Sequence, residues 1–176
     1  MTSVLLVDTI KNSLDSADTV AFTGGIHSPG AVIQMQSSTF GTDTTYSSSS
    51  AWVDIDNCSV VITPKFASSK IYITMSNHVY STSHSTDEWR GALMRIMRNT
   101  TAIYADDTGG YGEGKYTDHN TERWMTYDNR HYVDTPNTTS QITYKGQVRS
   151  KAGNTLYINR QSYGAGGAMI AMEIAQ

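Results

Sequence analysis

Three groups of residues in this 176-residue chain have the types and spacing that chemistry requires: paired carboxylates, five histidines, and aromatics around a glycine-rich stretch. The close acidic pairs are Asp54/Asp56, Asp87/Glu88 and Asp106/Asp107. Glycoside hydrolysis needs two carboxyls facing each other across a sugar, about 5 to 9.5 Å apart. Asp54 and Asp56, two residues apart on an extended strand, would share a face at roughly 7 Å. Any polar strand face offers that spacing, so the pair permits hydrolysis without pointing to it. The histidines are His27, His78, His84, His119 and His131, and none lies in the short spacing of a single-chain zinc site. A three-fold axis would change the count, because one histidine per chain then supplies three ligands. His27, next to Ser28-Pro29-Gly30, is the candidate for such a position.

Other catalytic signatures are missing. The run Gly110-x-Gly112-x-Gly114-Lys115 matches neither the dinucleotide fingerprint nor the phosphate-binding loop. No Gly-x-Ser-x-Gly elbow is present. The single cysteine, Cys58, precedes Val60-Val61-Ile62 and reads as a small buried hydrophobe, with no disulfide partner in the chain. No catalytic residue, metal or cofactor is expected, and the chain reads as a non-enzyme. The aromatic set is more suggestive: Tyr111, Tyr116, Trp124, Tyr127, His131 and Tyr132, with His119 among them, lie in or beside the stretch 106–122. Amphipathic rings favour contact surfaces. Tyr111, Tyr116, His119, Trp124 and His131 are therefore candidates for binding a sugar or a protein. The other reading is that Trp124 and Tyr132 close one end of a sandwich.

These residues must be positioned by strands. Residues 141–149 place Ile142, Tyr144 and Val148 on one face and Gln141, Thr143, Lys145, Gln147 and Arg149 on the other, the period of a half-buried strand. Ile71, Ile73 and Met75 repeat the pattern, as do Ile170, Met172 and Ile174. Strands are expected near 31–37, 51–56, 58–63, 70–80, 90–98, 101–105, 123–133, 141–149, 154–160 and 168–174. Asn99-Thr100 reads as a tight hairpin, and Pro64 as the end of its strand. Residues 41–50, 81–88 and 106–122 read as loops. The expected fold is all-β: an antiparallel β-sandwich, jelly-roll-like head over 31–176, with a short extended N-terminal arm over 1–30.

The arm carries Val4, Leu5, Leu6, Val7, Ile10 and Phe22 as its apolar anchors. A helix from Leu5 to Leu14 and an extended arm fit these residues equally well. Thirty residues with so few apolar groups cannot offset their ordering entropy alone. They must pack on copies of themselves, on the head or on a docking partner.

Composition narrows the partners. Charged residues are 16% of the chain, and Ser and Thr together make up about a quarter. Net charge is −3, and no basic stripe of the kind that neutralises phosphates is visible, so nucleic acid is not an expected partner. No apolar run is long enough for a membrane span. No signal peptide is recognisable, so synthesis in a cytoplasm is expected. A low-charge, hydroxyl-rich surface suits a protein partly covered by identical neighbours, because buried hydroxyls cost less than buried charges.

Several segments together resemble a domain recurring in fibre and other virion proteins of tailed phages, particularly marine ones. They are Val60-Val61-Ile62-Thr63-Pro64-Lys65, Ser68-Ser69-Lys70-Ile71-Tyr72-Ile73, the run Ala92 to Ile103, Asp134-Thr135-Pro136, Gly153 to Arg160, and Ile170-Ala171-Met172-Glu173-Ile174. Leu6-Val7-Asp8-Thr9-Ile10 is similar to the opening of such proteins. The resemblance implies a β-sandwich head on a phage particle, commonly a homotrimer, with no catalytic residues. Related fibres carry a long shaft before this domain. The thirty residues here instead suggest a short fibre or knob, held to other virion proteins by the arm and exposing its head to a host-surface glycan or protein. A capsid decoration protein and a stand-alone carbohydrate-binding module are the alternatives.

Overall fold

A computed structural model describes residues 28–41, 44–46, 51–82, 92–105, 123–150, 155–159 and 166–176. The described residues form ten strands: β1 (Val32–Phe40), β2 (Thr44–Tyr46), β3 (Val53–Ile62), β4 (Lys70–Thr82), β5 (Ala92–Arg98), β6 (Thr101–Ala105), β7 (Arg123–Asp134), β8 (Ile142–Ser150), β9 (Thr155–Ile158) and β10 (Gly167–Ile174). They build two packed antiparallel sheets, so the protein is an all-β sandwich. The expected arm, residues 1–27 of it, lies outside the described residues.

One sheet runs β1-β10-β4-β9-β2, with β7 on the other side of β4; the second runs β3-β8-β5-β6. The long central β4 explains the first sheet. Its first half pairs β10, its last four residues pair β9, and its other edge pairs β7 throughout. If β2 and β9 are set aside, the remaining eight strands pair outermost to innermost: β1 with β10, β3 with β8, β4 with β7, β5 with β6. That is the connectivity of a jelly roll, one long antiparallel hairpin rolled into two sheets.

The core lies between the sheets. Ile71, Ile73 and Met75 of β4 face Met94 and Ile96 of β5 and Ile142, Tyr144 and Val148 of β8, all within 2% of complete burial. The alternation in β4 and β8 therefore points inward as the sequence indicated. In β10 it does not. Met169, Ala171 and Glu173 are fully buried, and Ile170, Met172 and Ile174 are only half-buried on the outer face. The outer face carries Ile170, Met172 and Ile174 and the inner one Met169, Ala171 and Glu173, so the period by itself favours the wrong face. Glu173 decides it, because its carboxylate binds the turn after β3. Oε1 accepts from the Lys65 and Phe66 amides at 2.7 and 3.2 Å, and Oε2 accepts from Gln34 Nε2 at 2.6 Å.

Two further expectations change. The strands expected at 51–56 and 58–63 are a single strand, β3, broken by a wide bulge. Register passes from Asp54 opposite Gln147 to Ser59 opposite Lys145. Asn57 takes a left-handed φ of 60° inside the bulge, a conformation that asparagine tolerates. Bulge residues Ile55 and Cys58 drop into the core opposite Gly146. The stretch 41–50, read as loop, contains β2. Its Tyr46 hydroxyl donates to the Asp54 carbonyl at 2.9 Å and accepts from the Asp56 amide at 3.2 Å, which pins the bulge. The Asn99-Thr100 hairpin forms as expected, with Asn99 at φ 53° and bound to both backbone groups of Thr143. β3 ends at Ile62, just before Pro64.

The edge strand β7 turns charge inward. Asp128 and Arg130 pair at 2.5 and 2.8 Å, both buried, and Arg130 reaches the Tyr104 hydroxyl at 3.3 Å. Inward-pointing charge at a sheet edge discourages edge-to-edge pairing with another chain.

Candidate functional site

The candidate site is the outer face of the six-stranded sheet. Antiparallel pairing sets four strands in register, so each row collects one outward residue per strand. The first row is Met35, Met172, Tyr72 and Val133. The second is Ser37, Ile170, Thr74 and His131; the third is Thr39, Ala168, Ser76 and Asn129. Beyond the first row, Val32 and Ile174 extend the apolar corner, and Lys70 stands next to Ile174 in the same row. No Asp, Glu, Lys or Arg stands in any of the three rows. Met35 is 57% exposed, Val32 56% and Val133 51%. The grid measures roughly 14 Å by 14 Å between its outer Cα positions. With side chains it covers a few hundred Å², the scale of an interaction patch.

His131 sits on this face, on β7 beside Tyr72 of β4. The two rings stack at 6.1 Å and 6°, and the Tyr72 hydroxyl stands 3.1 Å from His131 Nδ1. Further along β7, Tyr127 is exposed and meets His78 edge-on at 5.1 Å. Burial pushes the His78 pKa below the usual histidine range.

His131 and Tyr127 face outward, while Tyr132 turns inward against Tyr104 at 5.9 Å. Trp124 lies on β7 opposite Ser81. Tyr111, Tyr116 and His119 lie outside the described residues, as do His27 and the arm residues Val4, Leu5, Leu6, Val7, Ile10 and Phe22. Sequence reasoning missed Met35, Tyr72 and Val133. The visible signal was that Ile170, Met172 and Ile174 form an apolar side to a strand whose other side carries Met169 and Ala171 as well as Glu173.

Asp54, the first of the carboxylate pair, is held by the Lys145 ammonium at 2.7 Å. Burial alone would raise the Asp54 pKa, but hydrogen bonds from Lys145 and Gln147 outweigh it and hold the group below the usual range. A general acid needs the opposite shift. Cys58 is 1% exposed, and burial pushes its thiol up to about 12. Among the described residues no three His, Cys, Asp or Glu side chains gather as a metal site. A small hollow lined by Tyr46, Val53, Val148 and Leu156 has an interior of about 10 Å³, no more than a water needs. Among the described residues, no helix is long and apolar enough to cross a membrane. No protein-family model matches the chain, and no curated protein matches it.

Proposed function

We propose that this protein is a structural subunit of a phage particle: a homotrimeric short fibre or knob whose heads pack through the outer face of the six-stranded sheet. The observation that carries the reading is the three-row grid without Asp, Glu, Lys or Arg, edged by Met35, Met172, Tyr72 and Val133. Such a surface gains by being shared around a symmetry axis, where its apolar row is covered and its hydroxyl-bearing rows are buried at less cost than charges. A second copy is the favoured occupant, because the three rows carry no Asp, Glu, Lys or Arg, and three such faces turned toward a common axis would shield one another's apolar row. The segment order shared with phage virion domains supports placement on a particle, and residues 1–30 would provide the attachment to it.

Mass by light scattering at micromolar concentration tests the assembly. A trimer is expected for the parent chain and a monomer for Met35→Glu with Val133→Glu. Both positions are more than half exposed, so the double variant keeps its β circular dichroism spectrum. A monomeric parent, or a double variant that still forms trimers, rules the interface out.

A further inference from the structure

The outer face of the other sheet is of the opposite character. Trp52 lies against two guanidinium groups, with Cζ of Arg95 4.5 Å and Cζ of Arg149 4.9 Å from its ring centroid. A hydrogen-bonded chain fixes Arg95 from the other side. Lys145 Nζ binds Asp54 Oδ2 at 2.7 Å, and Gln147 Nε2 donates to Asp54 Oδ1. Arg95 Nε donates to Gln147 Oε1 at 2.6 Å. Gln147 is only 9% exposed, so its amide is held in one orientation. Among the described residues, the two Nη groups of Arg95 have no hydrogen-bond partner.

We propose that Trp52, Arg95, Arg149 and Lys145 form a binding site for a carboxylated saccharide, such as a uronic-acid unit of an acidic polysaccharide. Stacking on Trp52 leaves the in-plane Nη donors of Arg95 facing outward, and those donors match a planar carboxylate. Because Nε is already occupied, the Nη edge is the one presented to a ligand. The stacking and the Gln147 bond fix Arg95 before binding, which reduces the entropy cost of capture.

The neighbours select the rest of the ligand. Asp54, with a half-exposed side chain, repels a simple polyanion yet accepts from hydroxyls, and Lys145 donates to them. A ligand with one carboxylate among several hydroxyls satisfies both signs. Phosphate-rich chains do not. In a sandwich the two outer faces look away from each other, so copies packed through the six-stranded sheet leave this face open.

The site is tested by calorimetric titration with an oligogalacturonate, its neutral methyl ester and poly-glutamate. Binding of the oligogalacturonate is expected, with affinity about tenfold lower for the ester and for poly-glutamate. Arg95→Lys keeps the charge and loses the fork, and is expected to weaken binding about tenfold with the fold intact. Trp52→Phe keeps a smaller ring and is expected to weaken it less. The proposal is overturned by no binding of the oligogalacturonate, by equal binding of ester or poly-glutamate, or by an unchanged Arg95→Lys. Mass measured on the same samples keeps this outcome separate from that of the trimer.

Discussion

Tyr144, on β8 of one sheet, donates its hydroxyl proton to Asp134 Oδ2 at 2.7 Å, at the end of β7 in the other sheet. Asp134 also pairs with Arg98 at 2.8 Å, where β5 ends. One buried carboxylate therefore ties three strands across the sandwich. Burial, and then the neighbouring carboxylate, push the Tyr144 pKa well above the tyrosine range.

Tyr144→Phe removes this tie with little change of volume. It is expected to cost about 1.5–3 kcal/mol, the range for a hydrogen bond to a charged group. Asp134→Ala strands both Arg98 and the Tyr144 hydroxyl and is expected to cost more, about 2–4 kcal/mol. Urea unfolding followed by circular dichroism gives both values. Equal, near-zero losses would show that the tie contributes nothing.

Glu173 links the fold to pH. Burial alone would raise its pKa, but donors from Gln34 and the Phe66 and Lys65 amides outweigh it, so the folded value lies below the usual 4.5. A depressed folded pKa stabilises the protein above the unfolded value, and that contribution disappears as pH falls through the folded one. Stability of the parent is expected to hold at neutral pH and to decline below about pH 4.5. Glu173→Gln is expected to be weaker at pH 7 and to decline less between pH 5 and pH 3. Urea midpoints across that range, compared between the two proteins, measure the difference in slope.

Gly146 makes room for the β3 bulge. A Cβ there would lie 2.5 Å from Met75 Sδ and 2.7 Å from Cys58 Sγ. Met75 is long enough to adjust, but Cys58 is held by the bulge. Gly146→Ala is expected to cost about 1–3 kcal/mol by overpacking. In combination with Cys58→Ala the loss is expected to shrink, and a double-mutant cycle reads that coupling.

Cys58 reports on unfolding. A thiol that is both buried and held up at about 12 supplies almost no thiolate at pH 8. A disulfide-exchange reagent is expected to label Cys58 only when the sandwich opens, with the rate rising in parallel with urea unfolding. Rapid labelling of the native protein would contradict its place in the core.

Local chemistry was legible where a single strand carries its own instructions. The alternation of β8, the hairpin at Asn99 and the stop at Pro64 each depend on neighbouring residues only, and each stands in the fold. The bulge was not legible, because Asn57 breaks the register only once Gly146 on a distant strand offers space for Ile55 and Cys58. The strand β2 was hidden in a hydroxyl-rich stretch because three residues are too few for a period. The inward turn of Asp128, Arg130 and Asp134 was not legible, since Tyr104, Arg98 and Tyr144, which meet Arg130 and Asp134, come from other strands.

By itself, then, the order of residues determined that this chain forms short antiparallel strands, roughly where they lie, and that its surface carries little charge. Which side of β10 faces the core was decided only when Glu173 met the amides of Lys65 and Phe66. The apolar row exists for the same reason: Met35, Tyr72, Val133 and Met172 come from four separate strands and become neighbours only across interstrand hydrogen bonds. A period of two marks the faces of one strand. Which face is buried depends on what the rest of the chain packs against it.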